Sequence, residues 1–199
     1  KLGGDYVLDT NFGADMTIME EASELIERVI NGNGQLPQYT SCCPAWVKFA
    51  ETFYPELIPH LSTAKSPIAM QAATEKTYFA KKNNIDPNKI VSVCVTPCTA
   101  KKAEIRRPEM NSSAGYWNEE EMRDSDYSIT VRELARWIRE VGLDFANLED
   151  GKFDPLMGEA SGGGIIFANT GGVMESAMRS AYKFVTKDEV PANLIRFDA

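Results

Sequence analysis

Two adjacent cysteines, Cys42 and Cys43, stand directly before Pro44, and the proline limits the local chain more than any other residue does. Proline fixes its own φ, lacks a donor, suits the first position of a helix and disfavours helix in the residue before it. Gln38-Tyr39-Thr40-Ser41 is therefore expected to arrive as a strand that delivers the cysteines, and Pro44 to open a helix over 45–54. Adjacent side chains leave an extended backbone in opposite directions, so Cys42 and Cys43 cannot easily share one metal or bridge each other. They are expected to have different jobs. A strand-to-helix turn also presents unpaired backbone N–H groups, which favour thiolates and anionic clusters.

The other two cysteines lie downstream. Ile90-Val91-Ser92-Val93-Cys94-Val95 is nearly all β-branched or small, as expected of a strand covered on both faces, and it runs into Thr96-Pro97-Cys98 and the pair Lys101-Lys102. Cys94, inside the strand, reads as an ordinary buried thiol. The four cysteines permit a cluster site, although their spacing is neither that of a zinc ribbon nor that of a ferredoxin. The proline contexts keep metal binding open for Cys43 and Cys98, and the fold is expected to bring these two together at the C-terminal ends of neighbouring strands.

Elsewhere strand-like and helix-like patterns alternate. Tyr6 to Thr10 reads as a strand leading into a helix near Asp15 or Thr17, with Met16, Met19, Ile26, Val29 and Ile30 facing the core until Asn31-Gly32-Asn33-Gly34 ends it. Ser66-Pro67 reads as N-cap and first residue of a helix reaching about Lys82. Residues 107–126 read as a surface excursion and 127–131 as a strand. Thr130-Val131-Arg132-Glu133 forms a capping box for a helix ending at Gly142. Ile165 to Ala168 and Leu194 to Phe197 read as strands, with a helix to about Thr186 between them. The sum is an α/β chain with a mostly parallel sheet flanked by helices.

The net charge of -8 and pI near 4.8 argue against nucleic acid or an anionic membrane surface as the main partner. No apolar run is long enough to span a bilayer, and no basic segment followed by an apolar one reads as a secretory signal, so a cytoplasmic location is expected. A first residue of Lys1 rather than Met points to a processed or excised chain. Ser161-Gly162-Gly163-Gly164 and Asn169-Thr170-Gly171-Gly172 fit neither the dinucleotide nor the Walker pattern and read as tightly packed turns. His60, the one histidine, reads as a surface turn residue.

Thr40-Ser41-Cys42-Cys43-Pro44-Ala45-Trp46 and Thr96-Pro97-Cys98-Thr99-Ala100-Lys101-Lys102-Ala103-Glu104 resemble the first and second signature motifs of the [FeFe]-hydrogenase large subunit. Residues 11–21 and 170–175 are similar to the same family, so the resemblance runs through nearly the whole chain. It implies a segment, residues 1–199, of a two-lobed catalytic domain that interconverts protons and H₂ with a ferredoxin or another iron–sulfur electron carrier. It also implies an H-cluster: a [4Fe-4S] cluster joined to a diiron subcluster with CO, cyanide and azadithiolate. By the resemblance, Cys43 and Cys98 would be two of the four cluster thiolates, Lys101 would donate to a cyanide, and Ser66 and Pro97 would lie near the diiron group. Cys42 would relay protons, with Ser62 bridging between it and Glu21 and Glu24.

On spacing alone, Glu21 and Glu24 are neighbours on one helix face, which permits proton transfer but reads more readily as a solvated acidic face; the resemblance reverses that order. Ser66 is equally explained as an N-cap. The family's second motif usually carries methionine where this chain has Thr96, and its third motif, which supplies the other two cluster cysteines, is not among these residues. The remainder of a hydrogenase chain is therefore an expected partner, and the segment by itself is expected to be inactive. The other readings are a hydrogenase-like iron–sulfur protein with a sensory or assembly role, and an unrelated α/β binding module.

Overall fold

The structure is a computed structural model and describes residues 2–191. Its elements are α1 (Thr10–Ile30), α2 (Pro44–Phe53), a 3₁₀ turn (Pro55–His60), and α3 (Pro67–Thr74), which continues through a π-helical Glu75–Phe79 into α4 (Ala80–Lys82). After a 3₁₀ turn (Pro87–Lys89) come β1 (Val93–Thr96), α5 (Lys101–Glu104), α6 (Ser112–Trp117), β2 (Tyr127–Thr130) and α7 (Val131–Glu140). A 3₁₀ turn (Phe145–Asn147), α8 (Gly162–Phe167) and α9 (Gly172–Thr186) complete the order. The chain divides into two compact units: residues 1–9 with 71–158, and residues 10–70 with 159–199. The expected strand over 194–197 lies outside the described residues.

In the unit made of residues 10–70 and 159–199, α1, α8 and α9 pack on one another. The buried face of α1 carries Gly13, Ala14, Thr17, Ile18, Glu21, Ala22 and Arg28. This corrects the sequence reading, because Met19, Val29 and Ile30 are exposed. Small side chains explain the change: they let α8 approach so closely that a Cβ on Gly164 would stand 2.5 Å from the Asn11 carbonyl oxygen. The expected strand at 165–168 falls largely within α8, which also begins with a built cap. The Ser161 hydroxyl accepts from Gly163 N at 3.0 Å, and Asp15 accepts from both Ser161 N and Ser161 Oγ at 2.6 Å. The strand expected at 38–41 reduces to one bridge, Tyr39 to Leu61, and α2 starts at Pro44 with Cys43 as its N-cap residue.

The other unit holds the sheet. Strands β1 and β2 are parallel, with Val93 opposite Tyr127 and Thr96 opposite Thr130, as an α/β chain requires. The expectation that both faces are covered fails, since Val91, Val93 and Val95 are 64, 48 and 43% exposed while Ser92 and Thr96 are buried. Period-two alternation places the polar residues inward here, where they have partners: Ser92 donates through its hydroxyl to Glu75 and through its N–H to Asp126. Tyr6 to Asp9 are not a strand, although Val7 exchanges hydrogen bonds with Asp154. Residues 107–126 are more than a surface excursion, because buried Asp124 accepts from the Ser112 and Ser113 N–H groups and the Ser113 hydroxyl to start α6. The capping box is present, with Thr130 and Glu133 each accepting from the other's backbone N–H.

Candidate functional site

The predicted site residues divide between the units. Glu21, Glu24, Cys42, Cys43, Ser62 and Ser66 belong to the helical unit, and Pro97, Cys98 and Lys101 to the unit that holds the sheet.

In the helical unit, the Tyr39 to Leu61 bridge carries the chain on to Ser62 and, on the other side, to Ser41, whose hydroxyl donates to the Ala64 carbonyl at 2.8 Å. The two segments lie against α1. Glu21 is 0% exposed, and neither carboxyl oxygen meets a well-aligned donor. Burial raises its pKa from 4.5 to about 7; the Ser41 backbone lowers it somewhat, Glu24 raises it and the Ser62 hydroxyl lowers it. Glu24 behaves oppositely. Burial pushes it up, but hydrogen bonds from Ser62, Arg28 and Thr63, together with the Arg28 charge, outweigh that and hold it below its usual range. Two carboxyls whose surroundings drive their affinities apart can hold one proton and leave one ionised acceptor near neutrality.

Arg28 was not singled out from sequence. It is buried, pairs with Glu24 Oε1 at 2.6 Å and donates to the carbonyls of Gln35, Pro59, His60 and Leu61. The Glu24 to Arg28 spacing of four residues was the available signal. His60, expected as a surface turn residue, closes the 3₁₀ turn, and its Nδ1 lies 2.9 Å from the Pro37 carbonyl oxygen. Ser66 is 1% exposed and its hydroxyl has no partner, so capping does not account for it. Cys42 is part-buried, while Cys43 is exposed and starts α2 without a side-chain cap bond.

In the sheet unit, Cys98 is part-buried just beyond β1, and Pro97 is exposed. Thr96 is buried and its hydroxyl accepts from Cys98 N at 3.4 Å, so the threonine has a local role in the turn. Lys101 is buried and pairs with Glu104 Oε2 at 2.9 Å. Cys94, expected as an ordinary buried thiol, is part-buried; burial pushes its pKa up to about 11, and its sulfur lies 3.3 Å from the Ser125 hydroxyl.

None of the four cysteines is in a disulfide. Among the described residues, no group of three or more His, Cys, Asp or Glu could hold a metal ion. A cubane needs four protein ligands, so the donor set fits a share of one. The orphaned Ser66 hydroxyl fits a polar group from outside the protein, since a buried hydroxyl is rarely left unpaired. Among the described residues, no helix is long and apolar enough to cross a membrane.

Residues 1–198 match the family described as iron only hydrogenase large subunit, C-terminal domain. The periplasmic [Fe] hydrogenase large subunit of Nitratidesulfovibrio vulgaris is 54% identical over 187 residues, covering 94% of this chain and 43% of that protein. Cytosolic iron–sulfur assembly component 3 of Bos taurus is 34% identical over 193 residues, covering 91% and 38%. Among solved structures, an apo [FeFe]-hydrogenase variant from Chlamydomonas reinhardtii has a TM-score of 0.81 at 44% identity, covering 95% of this chain and 46% of that one. The chain thus spans less than half the length of each of these relatives.

Proposed function

Because the chain belongs to the family formed by the C-terminal domain of iron-only hydrogenase large subunits, we propose that residues 1–199 are a segment of an [FeFe]-hydrogenase catalytic domain. The whole protein then catalyses 2H⁺ + 2e⁻ ⇌ H₂ with electrons from a ferredoxin-type iron–sulfur carrier. The observation that carries this reading is the fully buried Glu21 carboxyl, held near a pKa of 7 against the Ser41 backbone one residue before Cys42. A structural carboxyl at such a site would be expected to have a charged or hydrogen-bonded partner, whereas a proton relay needs one that changes state near neutrality.

When bound, the H-cluster, a [4Fe-4S] cluster with a diiron subcluster, supplies the redox and H–H bond chemistry. In this proposal Cys43 and Cys98 would each give one of its thiolates, and the rest of the protein would give the others. Lys101, which pairs with Glu104, would donate to a cyanide, and Ser66 and Pro97 would each lie near the diiron group. Cys42 exchanges protons with Glu21, Ser62 lies between the glutamates and Cys42, and Glu24 receives the proton for release. A cytoplasmic location belongs to the same proposal, and cell fractionation separates it from the periplasmic location named for the Nitratidesulfovibrio relative.

The test is Cys42→Ser in the full-length protein. A serine hydroxyl is a far weaker acid than a thiol, so the cluster spectrum should persist while H₂ evolution falls at least about a hundredfold. Undiminished evolution removes Cys42 from the route. The second reading, a hydrogenase-like protein with an assembly or sensory role, draws on Thr96 and on the bovine relative. It predicts a bound cluster with no H₂ evolution from the unaltered protein.

A further inference from the structure

The turn that carries Cys98 is closed into a ring of contacts. Its upstream end is fixed where Thr96 pairs with Thr130 across the sheet and accepts from Cys98 N. Its downstream end is α5, reached through Lys101 N to Cys98 O at 3.3 Å and Lys102 N to Thr99 O at 3.1 Å. Four helical residues cannot hold themselves in order, so the turn depends on what grips it from outside. Lys102 Nζ reaches Glu133 Oε1 at 2.5 Å. The other oxygen of the same carboxylate, Oε2, accepts from Thr130 N at 2.7 Å and Thr130 Oγ1 at 3.0 Å. The ring therefore returns to Thr130, the partner of Thr96.

A capping box needs only one of these oxygens, and glutamine serves it as well as glutamate. The negative charge adds the link to Lys102. Lys102 and Thr130 hold the Glu133 carboxyl down to about 2, so this carboxylate carries its charge through the neutral range. Both side chains are 41% exposed, and an ion pair of that exposure contributes little to global stability. A pair that adds little stability can still fix a geometry.

We propose that Glu133 is a positioning residue which, through Lys102, holds the Cys98 turn at the pitch its metal-bound thiolate requires. The proposal rests on the reading of Cys98 as a cluster ligand. Hydrogen–deuterium exchange of the full-length protein before cluster loading tests it. In Glu133→Gln and in Lys102→Met, amides 98–104 should exchange about tenfold faster while those of 133–140 stay unchanged, and Lys102→Arg should restore protection. The double variant should be no worse than either single one. Unchanged exchange over 98–104, or an increase confined to α7, would show that Glu133 is only a cap and overturn the proposal. After loading, both single variants should retain less iron than the unaltered protein, and full retention also overturns it. Cys98→Ser separates the two claims: an intact cluster in that variant ends the ligand reading, whatever the exchange of the turn shows.

Discussion

The Ser62 hydroxyl donates to Glu24 Oε2 over 2.7 Å, and the same carboxylate takes the Arg28 guanidinium on Oε1 at 2.6 Å. These partners hold Glu24 below its usual range, three residues from Glu21, whose carboxyl burial raises to about 7. One turn of one helix thus carries two carboxyls whose proton affinities are driven in opposite directions.

Glu21 makes stability depend on pH. Its folded pKa of about 7 lies above 4.5, so the folded state keeps this proton where the unfolded chain has lost it. The contribution is complete below about pH 4.5, falls as pH rises through 7, and is then lost, a change of roughly 3 kcal/mol at most. Glu21→Gln should therefore gain stability relative to the unaltered protein between pH 5 and 8 in urea titrations. Parallel profiles would mean that the carboxyl is not held protonated.

Arg28 binds four carbonyls and a carboxylate from a buried position. Arg28→Met removes every one of those donors and leaves Glu24 without its counter-ion. The expected loss is about 3–5 kcal/mol by denaturant unfolding. A loss under about 1 kcal/mol would show that water replaces the guanidinium freely.

Gly172 opens α9, where an added Cβ would lie 1.8 Å from the Ile166 carbonyl oxygen, a backbone atom that cannot swing aside. Gly172→Ala should cost about 3 kcal/mol. Gly162→Ala is the control, because nothing lies within 4 Å of its Cβ position, and should change stability by less than about 1 kcal/mol. Equal effects would contradict the close packing of α8 on α9.

The 199 residues alone should neither hold a stoichiometric cubane nor evolve H₂, because two matched thiolates are half of what a cubane requires. Iron–sulfur reconstitution followed by electron paramagnetic resonance and a hydrogen assay checks both. A full cubane with turnover from this segment would mean that the ligand set is miscounted.

The family was legible from two long motifs, because residue identity carries that information directly. Equally legible were the elements set by local chemistry. Pro44 starts α2, Thr130 and Glu133 form their capping box, and β1 pairs in parallel with β2. Each of these depends on residues within a few positions of one another, or on a strand pattern that little else can satisfy.

The rest was decided by tertiary contacts. Periodicity weighs apolar side chains, and α1 instead buries small and polar ones, so its core face was misread and Arg28 passed unnoticed. Three glycines before Ile165 suggested a turn and a strand until a neighbouring helix and Asp15 made them the start of α8. Whether Glu21 and Glu24 formed a solvated face or a proton pair could not be read from their spacing. Their protonation depends on how much water and which donors surround each carboxyl, and segments 17 to 39 residues distant supply those surroundings.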